Sequence, residues 1–116
     1  MLTPGPAKKI TIHLNEDTST STGFLYREIF SFLLAQGVAG ATMFRPVAEI
    51  DEHRHIHGQN GDGAQPERLP VRIEFIESVE RFESLLPELS RLMIEGLIEV
   101  HDTKIVKVAT GGVEQF

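Results

Sequence analysis

Three histidines at alternating positions form the most recognisable chemical pattern in this sequence. The polar stretch DEHRHIHGQNGDGAQPE contains His53, His55 and His57. In an extended chain, residues two apart lie on one face, at spacings of about 6–7 Å. Imidazole is a good ligand for zinc, copper and nickel, so these side chains are a candidate divalent-metal site, and a metal-responsive binding protein is the runner-up function. The alternative interpretation is a solvated loop whose histidines bind no metal. If a metal bound elsewhere, His13 and His101 would be the remaining imidazole ligands.

The sequence contains no recognisable set of catalytic residues. Serines are plentiful, but none stands in the G-x-S-x-G pattern that exposes a nucleophile on a sharp turn. The glycines of GQNGDG do not have the spacing of a phosphate-binding loop. Glu74 is a lone carboxylate on a predicted strand, for which a structural role is the simpler interpretation. We therefore predict that the chain is not an enzyme.

Charge and composition exclude several classes of protein. The formal net charge is −6, which argues against nucleic acid and anionic membrane surfaces, because both favour basic proteins. Cysteine is absent, so disulfide bonds and thiolate metal sites are excluded. The longest apolar run, IFSFLLA, is far shorter than the roughly 20 residues that a membrane helix needs. The first residues lack the apolar core of a secretory signal. We expect one domain, a cytoplasmic location and no insertion into a membrane.

The first half of the chain predicts a strand, a helix and an edge strand. Residues 1–7 hold two prolines and a glycine and are predicted to be a loose lead-in. KKITIHL alternates aliphatic and polar residues, which is typical of a half-buried strand. FLYREIFSFLLAQG has helical periodicity, with Ser21 or Thr22 as its N-terminal cap and Gly37 at its C-terminal end. GATMFRPVAEI is rich in strand formers, but Pro46 cannot donate to a sheet, so we expect an edge strand.

The second half, after the polar stretch, predicts a strand, a helix and a strand. LPVRIEFIE alternates cleanly. SVERFESLLPELSRLMIEG is amphipathic, with Ser78 as its cap, a kink at Pro87 and an end at Gly96. Its apolar residues step by three or four along the sequence: Val79, Phe82, Leu86, Leu89 and Met93. LIEVHDTKIVKV is strand-like, with a turn expected at Asp102.

The order of these elements predicts a ferredoxin-like βαββαβ fold of the α+β class. Two helices would cover one face of a four-stranded antiparallel sheet. We expect a single domain over residues 8–110, with loose tails at residues 1–7 and 111–116. Ile76 lies on the polar side of its strand, and Ile105 and Val106 are adjacent, so the uncovered face carries apolar residues. A neighbouring subunit is the usual cover for such a face, which predicts an oligomer.

Three segments, taken in order, resemble the PII signalling proteins. GVAGATMFR follows the first helix, LPVRIEFIE follows the polar stretch, and KIVKVATGG comes near the end. The stretch YREIFSFLLAQGVAGATMFRPVA resembles even more closely the sequences of a family of PII-like relatives, the bacterial domain of unknown function one-ninety. The resemblance runs from about Lys8 to Thr110. It implies a homotrimer with a long flexible T-loop at residues 49–68, which signals to a partner protein such as a membrane transporter or channel.

The same resemblance implies an adenine nucleotide in a cleft between subunits. AMP, ADP, ATP and cyclic nucleotides are the candidate ligands. Thr42 matches the threonine of the second strand that contacts the base, and Glu74 and Ile76 match a pair on the third strand. Lys107 matches the first of two phosphate-binding arginines. Six positions are carried over in this way: Gly40, Thr42, Glu74, Ile76, Gly96 and Lys107.

The sequence departs from the family pattern where phosphate would bind. Ala109 stands where the second arginine would be, and Glu49 and Asp51 replace glycines at the root of the T-loop. Because carboxylates repel phosphate, we expect ATP to bind less tightly than a less charged nucleotide.

Overall fold

A computed structural model describes residues 2–50, 56–58 and 69–111, and gives the backbone alone for residues 48–50 and 56–58. Two helices are present in this part of the chain, α1 (Leu25–Ala35) and α2 (Val79–Leu92). The main strands are β1 (Gly5–Asn15), β4 (Thr42–Phe44), β7 (Pro70–Ser78) and β8 (Leu97–Ile105). Shorter strands are β2 (Ser19–Thr20), β3 (Gly23–Phe24), β5 (Ala48–Ile50) and β6 (Ile56–Gly58).

The main strands form one antiparallel sheet in the order β4-β7-β1-β8. In the register, Ile10 lies opposite Phe75 on β7 and opposite Val100 on β8. The edges of the sheet are β4 and β8, as the proline after β4 predicts for that strand. This arrangement confirms the predicted ferredoxin-like fold.

The core lies between one face of the sheet and the two helices. Alternate residues of β1 and β7 point into it, and the buried stripes of α1 and α2 meet them. The fully or nearly buried apolar residues are Ile10, Ile12, Leu14, Leu25, Ile29, Leu33, Val71, Ile73, Phe75, Phe82, Leu85 and Leu89. Leu85 takes the place on α2 that the sequence assigned to Leu86, which is only partly buried beside the core.

The two helix starts differ from each other. Ser78 caps α2 as predicted, since its hydroxyl accepts a hydrogen bond from the backbone N–H of Arg81 at 3.2 Å. The predicted capping of α1 by Ser21 or Thr22 is wrong, because α1 begins after Phe24, which makes no side-chain cap. Ser21 and Thr22 form the turn of the β2–β3 hairpin, so β3 lies between them and the helix, and the Thr22 hydroxyl instead donates to the carboxylate of Glu28.

The C-terminal end of α1 is a two-bond motif around Gly37. The N–H of Gly37 donates to the carbonyl of Leu34 at 3.0 Å, and the N–H of Val38 donates to that of Leu33 at 3.1 Å. This pattern needs a left-handed residue after the cap, and Gly37 has φ +76°. The predicted end of the helix is confirmed.

The outer strands of the chain differ from the prediction at their ends. Strand β1 begins at Gly5, so residues 5–7 are not part of a loose lead-in; Gly5 pairs with Ile105 and Ala7 is buried. No turn interrupts β8 at Asp102, because this residue pairs with Lys8 and its carboxylate accepts from the Lys8 ammonium at 2.5 Å.

A short hairpin lies inside the segment that the sequence predicted to be loop. Strand β5 pairs with β6 in antiparallel register, with Glu49 opposite His57. Most of residues 49–68 lie outside the described residues, so the flexible T-loop stays a prediction, as do the domain limits and the loose tail at residues 111–116, of which the structure describes Gly111 alone. Neither α1 nor α2 has the length and apolar character that crossing a membrane would require.

Candidate functional site

The pairing of β4 with β7 brings two of the predicted site residues together. Thr42 and Glu74 are cross-strand partners, so their side chains share one face of the sheet. Ile76 lies on that face two residues further along β7 and is 36% exposed. Gly40 precedes β4 by two residues and is exposed at the same edge. Thr42, Glu74 and Ile76 therefore form one group on the side of the sheet that the helices leave open, whereas Gly40 lines a cavity with α1 residues such as Phe30 and Leu33.

Glu74 is engaged in ion pairs on this open face. The Arg72 Nε donates to its carboxylate at 2.8 Å, and the Lys9 ammonium lies 3.7 Å from it. The Arg72 guanidinium also stacks over the ring of Phe44, 4.6 Å from the ring centre. Glu74 is thus not the lone carboxylate that the sequence indicated. It lies between two cations, Lys9 and Arg72.

The other two predicted residues lie at the opposite edge of the sheet. Gly96 comes directly before β8, and Lys107 comes two residues after it, so the length of the strand separates them. Within one chain, β7 and β1 stand in sequence between β4 and β8. The structure therefore does not gather all six carried-over positions into one site within a single chain.

Gly96 has a clear backbone requirement. Its φ is +97°, and an added Cβ would overlap the carbonyl oxygen of His13 and lie 3.2 Å from the Cα of Leu14. The turn between α2 and β8 therefore packs directly on the backbone of β1. Only glycine allows this approach.

A second group on the open face was not found from the sequence. The carboxylate of Glu99 on β8 lies between two imidazoles, with 2.9 Å from one oxygen to His13 Nε2 and 2.9 Å from the other to His101 Nε2. These contacts, first that to His13, hold the pKa of Glu99 below its ordinary value. A cavity of about 430 Å³ lies over these residues together with Lys9 and Glu74.

The predicted metal site receives no support from the described residues. His53 and His55 lie outside them, and His57 lies on β6, where the backbone alone is described. In residues 2–47 and 69–111, no three His, Cys, Asp or Glu side chains form a group that could hold a metal ion. His13 and His101 each contact the Glu99 carboxylate, as described above.

The turn at residues 15–18, between β1 and β2, makes a set of contacts that the sequence did not indicate. On one side it binds Glu95 of the α2–β8 turn. The Asn15 backbone N–H donates to Glu95 Oε1 at 3.2 Å, the Thr18 hydroxyl donates to the same oxygen at 2.6 Å, and the Asn15 amide donates to Glu95 Oε2. Between 77 and 80 residues of sequence separate these partners, and no periodic pattern connects them.

On its other side, the 15–18 turn holds both ends of the segment that contains the predicted T-loop. Arg45, just after β4, donates to the carboxylate of Glu16 through Nε at 2.8 Å and through Nη2 at 2.5 Å. Leu69, just before β7, accepts from the Glu16 backbone N–H at 2.7 Å. The hydrogen bond from Arg45 is the largest influence on the pKa of Glu16, which is lowered although partial burial opposes the shift. Glu16 is thus ionised and bidentate at neutral pH.

The match to known families agrees with this fold. The model of the DUF190 family, described as uncharacterized ACR, matches residues 7–105. A UPF0166 protein of Methanocaldococcus jannaschii is 29% identical over 113 residues, which cover 90% of this chain and 95% of that protein. The family match spans all four main strands and both helices.

Solved structures of similar shape are PII-like proteins. One is CPII of Thiomonas intermedia K12 bound to ADP, AMP and acetate, with a TM-score of 0.60, 18% identity, and coverage of 91% of this chain and 94% of that one. Another, from Thermus thermophilus, is assigned to the PII-like signaling proteins, with a TM-score of 0.57, 19% identity, and coverage of 90% and 94%. At these identities the likeness concerns the fold. The chain is a member of the DUF190 family and has the fold of the PII-like proteins.

Proposed function

We propose that this protein is a non-enzymatic, homotrimeric PII-like regulator that binds an adenine nucleotide between subunits. The observation that carries the proposal is the division of the carried-over residues between two sheet edges. Gly40, Thr42, Glu74 and Ile76 lie on the β4 side, and Gly96 and Lys107 lie at the ends of β8. A ring of copies would bring unlike edges of neighbouring chains together and complete the set at each junction. The ADP and AMP bound to CPII support this choice of ligand.

The exposed apolar residues support an assembly of this kind. Leu97 and Val100 on β8 are 56% and 38% exposed, and Val106 just beyond it is 80% exposed. Apolar residues exposed at an edge strand favour an assembly in which another subunit covers them. Analytical ultracentrifugation at micromolar concentration should give a species of three times the chain mass of 12.9 kDa. A stable monomer under these conditions would contradict the assembly and with it the shared cleft.

The nucleotide preference follows from charge. A triphosphate brings about four negative charges to a chain whose net charge is already −6. Among the carried-over positions, Lys107 supplies the positive charge, and Ala109 supplies none. We expect AMP or a cyclic nucleotide to bind roughly 10-fold more tightly than ATP without a divalent metal, which corresponds to about 1.4 kcal/mol.

Calorimetric titration with AMP, ADP and ATP tests both the ligand class and the site. Thr42→Val removes the hydroxyl on β4 that the resemblance places against the base, and should weaken AMP binding by about fivefold or more. Thr22→Val, in the exposed turn of the β2–β3 hairpin, is a control of the same size change at a position that matches no nucleotide contact and lies on neither edge of the main sheet. Failure of all three nucleotides to bind the unmodified protein would reject the proposal. Equal effects of the two substitutions would move the site away from β4.

We further infer that residues 49–68 form the T-loop that transmits the signal to a partner protein, a membrane transporter or channel. The support is the resemblance of the flanking segments, together with the fold. Copurification of the partner with the intact protein, but not with a variant in which residues 51–67 are replaced by a short glycine-serine linker, would be the expected result.

A further inference from the structure

The 15–18 turn contacts the two regions that the proposed function needs to connect. Glu95 lies next to Gly96, which matches a ligand-contacting position. Arg45 and Leu69 bracket the segment of the predicted T-loop. The turn binds the first region through Asn15 and Thr18 and the second through Glu16, which follows Asn15 directly.

The local geometry of the turn makes these contacts interdependent. The Thr18 N–H donates to the Asn15 carbonyl at 3.2 Å and closes the turn. The Thr18 carbonyl accepts from the N–H of Leu25 at 2.9 Å, which fixes the turn to the start of α1. Asn15 and Glu16 are joined by one peptide bond, and their N–H groups donate to different regions, to Glu95 and to Leu69. The peptide between them is planar and carries both the Asn15 carbonyl, which accepts from Thr18, and the Glu16 N–H, which donates to Leu69, so a movement of the turn at Thr18 tends to shift the hydrogen bond to Leu69.

We propose that the 15–18 turn positions the α2–β8 turn and the two ends of the T-loop segment relative to each other. The positioning residues are Glu16 in the 15–18 turn and Glu95 in the α2–β8 turn. A phosphate-bearing ligand that contacts the Gly96 turn would then alter the hydrogen bonds at Arg45 and Leu69 through Asn15, Thr18 and Glu16. The part of this inference that involves a ligand rests on the proposed function, whereas the coupling within the free chain does not.

The two carboxylates suit this role because their contacts are charge-assisted. Glu16 holds Arg45 through two parallel hydrogen bonds, a geometry that fixes direction as well as distance. Glu95 accepts from three donors on the turn. A neutral amide at either position would keep the size of the side chain and lose part of this directional hold.

Amide hydrogen exchange of the full chain, measured by NMR without nucleotide, tests the coupling. The N–H of Asn15 reports on the Glu95 side and that of Glu16 reports on the Leu69 side. Thr18→Val removes the hydroxyl that binds Glu95 and should raise both exchange rates about fivefold, as expected for one lost hydrogen bond. Thr18→Ser keeps a hydroxyl and should restore both rates. Glu16→Gln, which leaves the Glu95 contacts in place, should raise the rate of Asn15 in turn.

Glu28→Gln is the matched control. Glu28 also accepts from two threonine hydroxyls, those of Thr20 and Thr22, but it contacts neither Glu16 nor Glu95 in the described contacts. This substitution should leave the exchange rates of Asn15 and Glu16 within about twofold of the original values.

Two outcomes would overturn the coupling. In the first, Thr18→Val speeds exchange at Asn15 while Glu16 stays within about twofold of the unmodified protein. In the second, neither amide responds to Thr18→Val or to Glu16→Gln. If Thr18→Val does not fold, Glu16→Gln alone decides between the two possibilities through the amide of Asn15.

Adding ADP separates this inference from the proposed function. In the unmodified protein ADP should slow exchange at Glu16, and Thr18→Val should abolish that effect while calorimetry still detects binding. If ADP binds without any change at Glu16, the ligand part of the inference is wrong. If no nucleotide binds the unmodified protein, the proposed function fails, and the exchange rates of the free chain still decide whether the turn couples the two regions.

Discussion

Replacement of Gly96 by alanine should strongly destabilise this protein. The left-handed backbone at φ +97° costs an alanine about 1–2 kcal/mol. The new Cβ would also overlap the His13 carbonyl oxygen and lie 3.1 Å from the carbonyl carbon. Backbone atoms cannot rotate away, so the α2–β8 turn must lift from β1.

The loss of stability can be calculated from the contacts that the α2–β8 turn holds in place. His13 and Leu97 form the terminal pair where β1 lies beside β8. A lifted turn would disrupt the hydrogen bonds of both residues, at a cost of about 1 kcal/mol for each residue. Together with the backbone term, the free energy of unfolding should fall by about 3–4 kcal/mol. For a chain of this length, that corresponds to a fall in Tm of roughly 12–16 °C.

Gly37→Ala provides a control with the same backbone penalty. Gly37 also has positive φ, +76°, but an added Cβ would meet a single atom at 3.8 Å, the flexible Nη2 of Arg81. This substitution should therefore cost only the backbone term, about 1–2 kcal/mol.

Urea unfolding of both variants at one fixed protein concentration is the assay, since assembly makes the midpoint depend on concentration. The slope m should stay constant, so that differences in midpoint report differences in stability. A loss for Gly96→Ala no larger than that for Gly37→Ala would show that the turn can move at little cost. The reasoning from the close approach to His13 would then be refuted.

Three further predictions concern the core, a helix cap and acid pH. Leu85→Ala should lower the free energy of unfolding by about 2–5 kcal/mol, and Leu86→Ala by clearly less, as measured by urea unfolding. Ser78→Ala should cost about 1 kcal/mol in the same measurement, through loss of the N-cap of α2. The pKa of Glu16 is lowered in the folded state by Arg45, so this pair stabilises the protein above the ordinary carboxyl pKa of 4.5 and the contribution is lost as pH falls through the lowered value. Thermal unfolding between about pH 6 and pH 3 should therefore show a smaller acid-induced fall in Tm for Glu16→Gln than for the unmodified protein; an equal fall would contradict this role.

The central strands and both helices could be predicted because their signals are local. Val71, Ile73 and Phe75 alternate with polar residues within a single strand, and all three are buried as the pattern requires. The N-cap at Ser78 is equally local. The choice between Leu85 and Leu86 is harder, since neighbouring residues on a helix differ by only about 100° in direction and the sheet decides which one it covers.

Contacts between distant parts of the chain could not be predicted. The predicted cap of α1 failed for a nearer reason: Ser21 and Thr22 form the turn of the β2–β3 hairpin, and the Thr22 hydroxyl bonds to Glu28, six residues away. The link between Asn15 and Glu95 joins residues 80 apart, and its residue types occur throughout the surface of any protein. The resemblance supplied the candidate-site positions on β4 and β7. The separation of these positions from the ones at the ends of β8 follows from the order of the strands in the sheet, which composition and periodicity do not determine.

The central position of β1 has a consequence for how the chain folds as it is synthesised. Strand β1 is synthesised before the other strands of this sheet, yet its two neighbours in the sheet are β7 and β8, and Gly5 pairs with Ile105. No neighbouring strand in sequence offers β1 an early hairpin within this sheet. The aliphatic residues of β1 therefore remain unpaired until most of the chain has been synthesised. Because the contacts of β1 are so distant in sequence, folding is expected to be slow for a domain of this size. During that interval β1 is exposed to incorrect pairing with another nascent copy. We therefore expect chaperones to bind this strand before β7 and β8 have been synthesised.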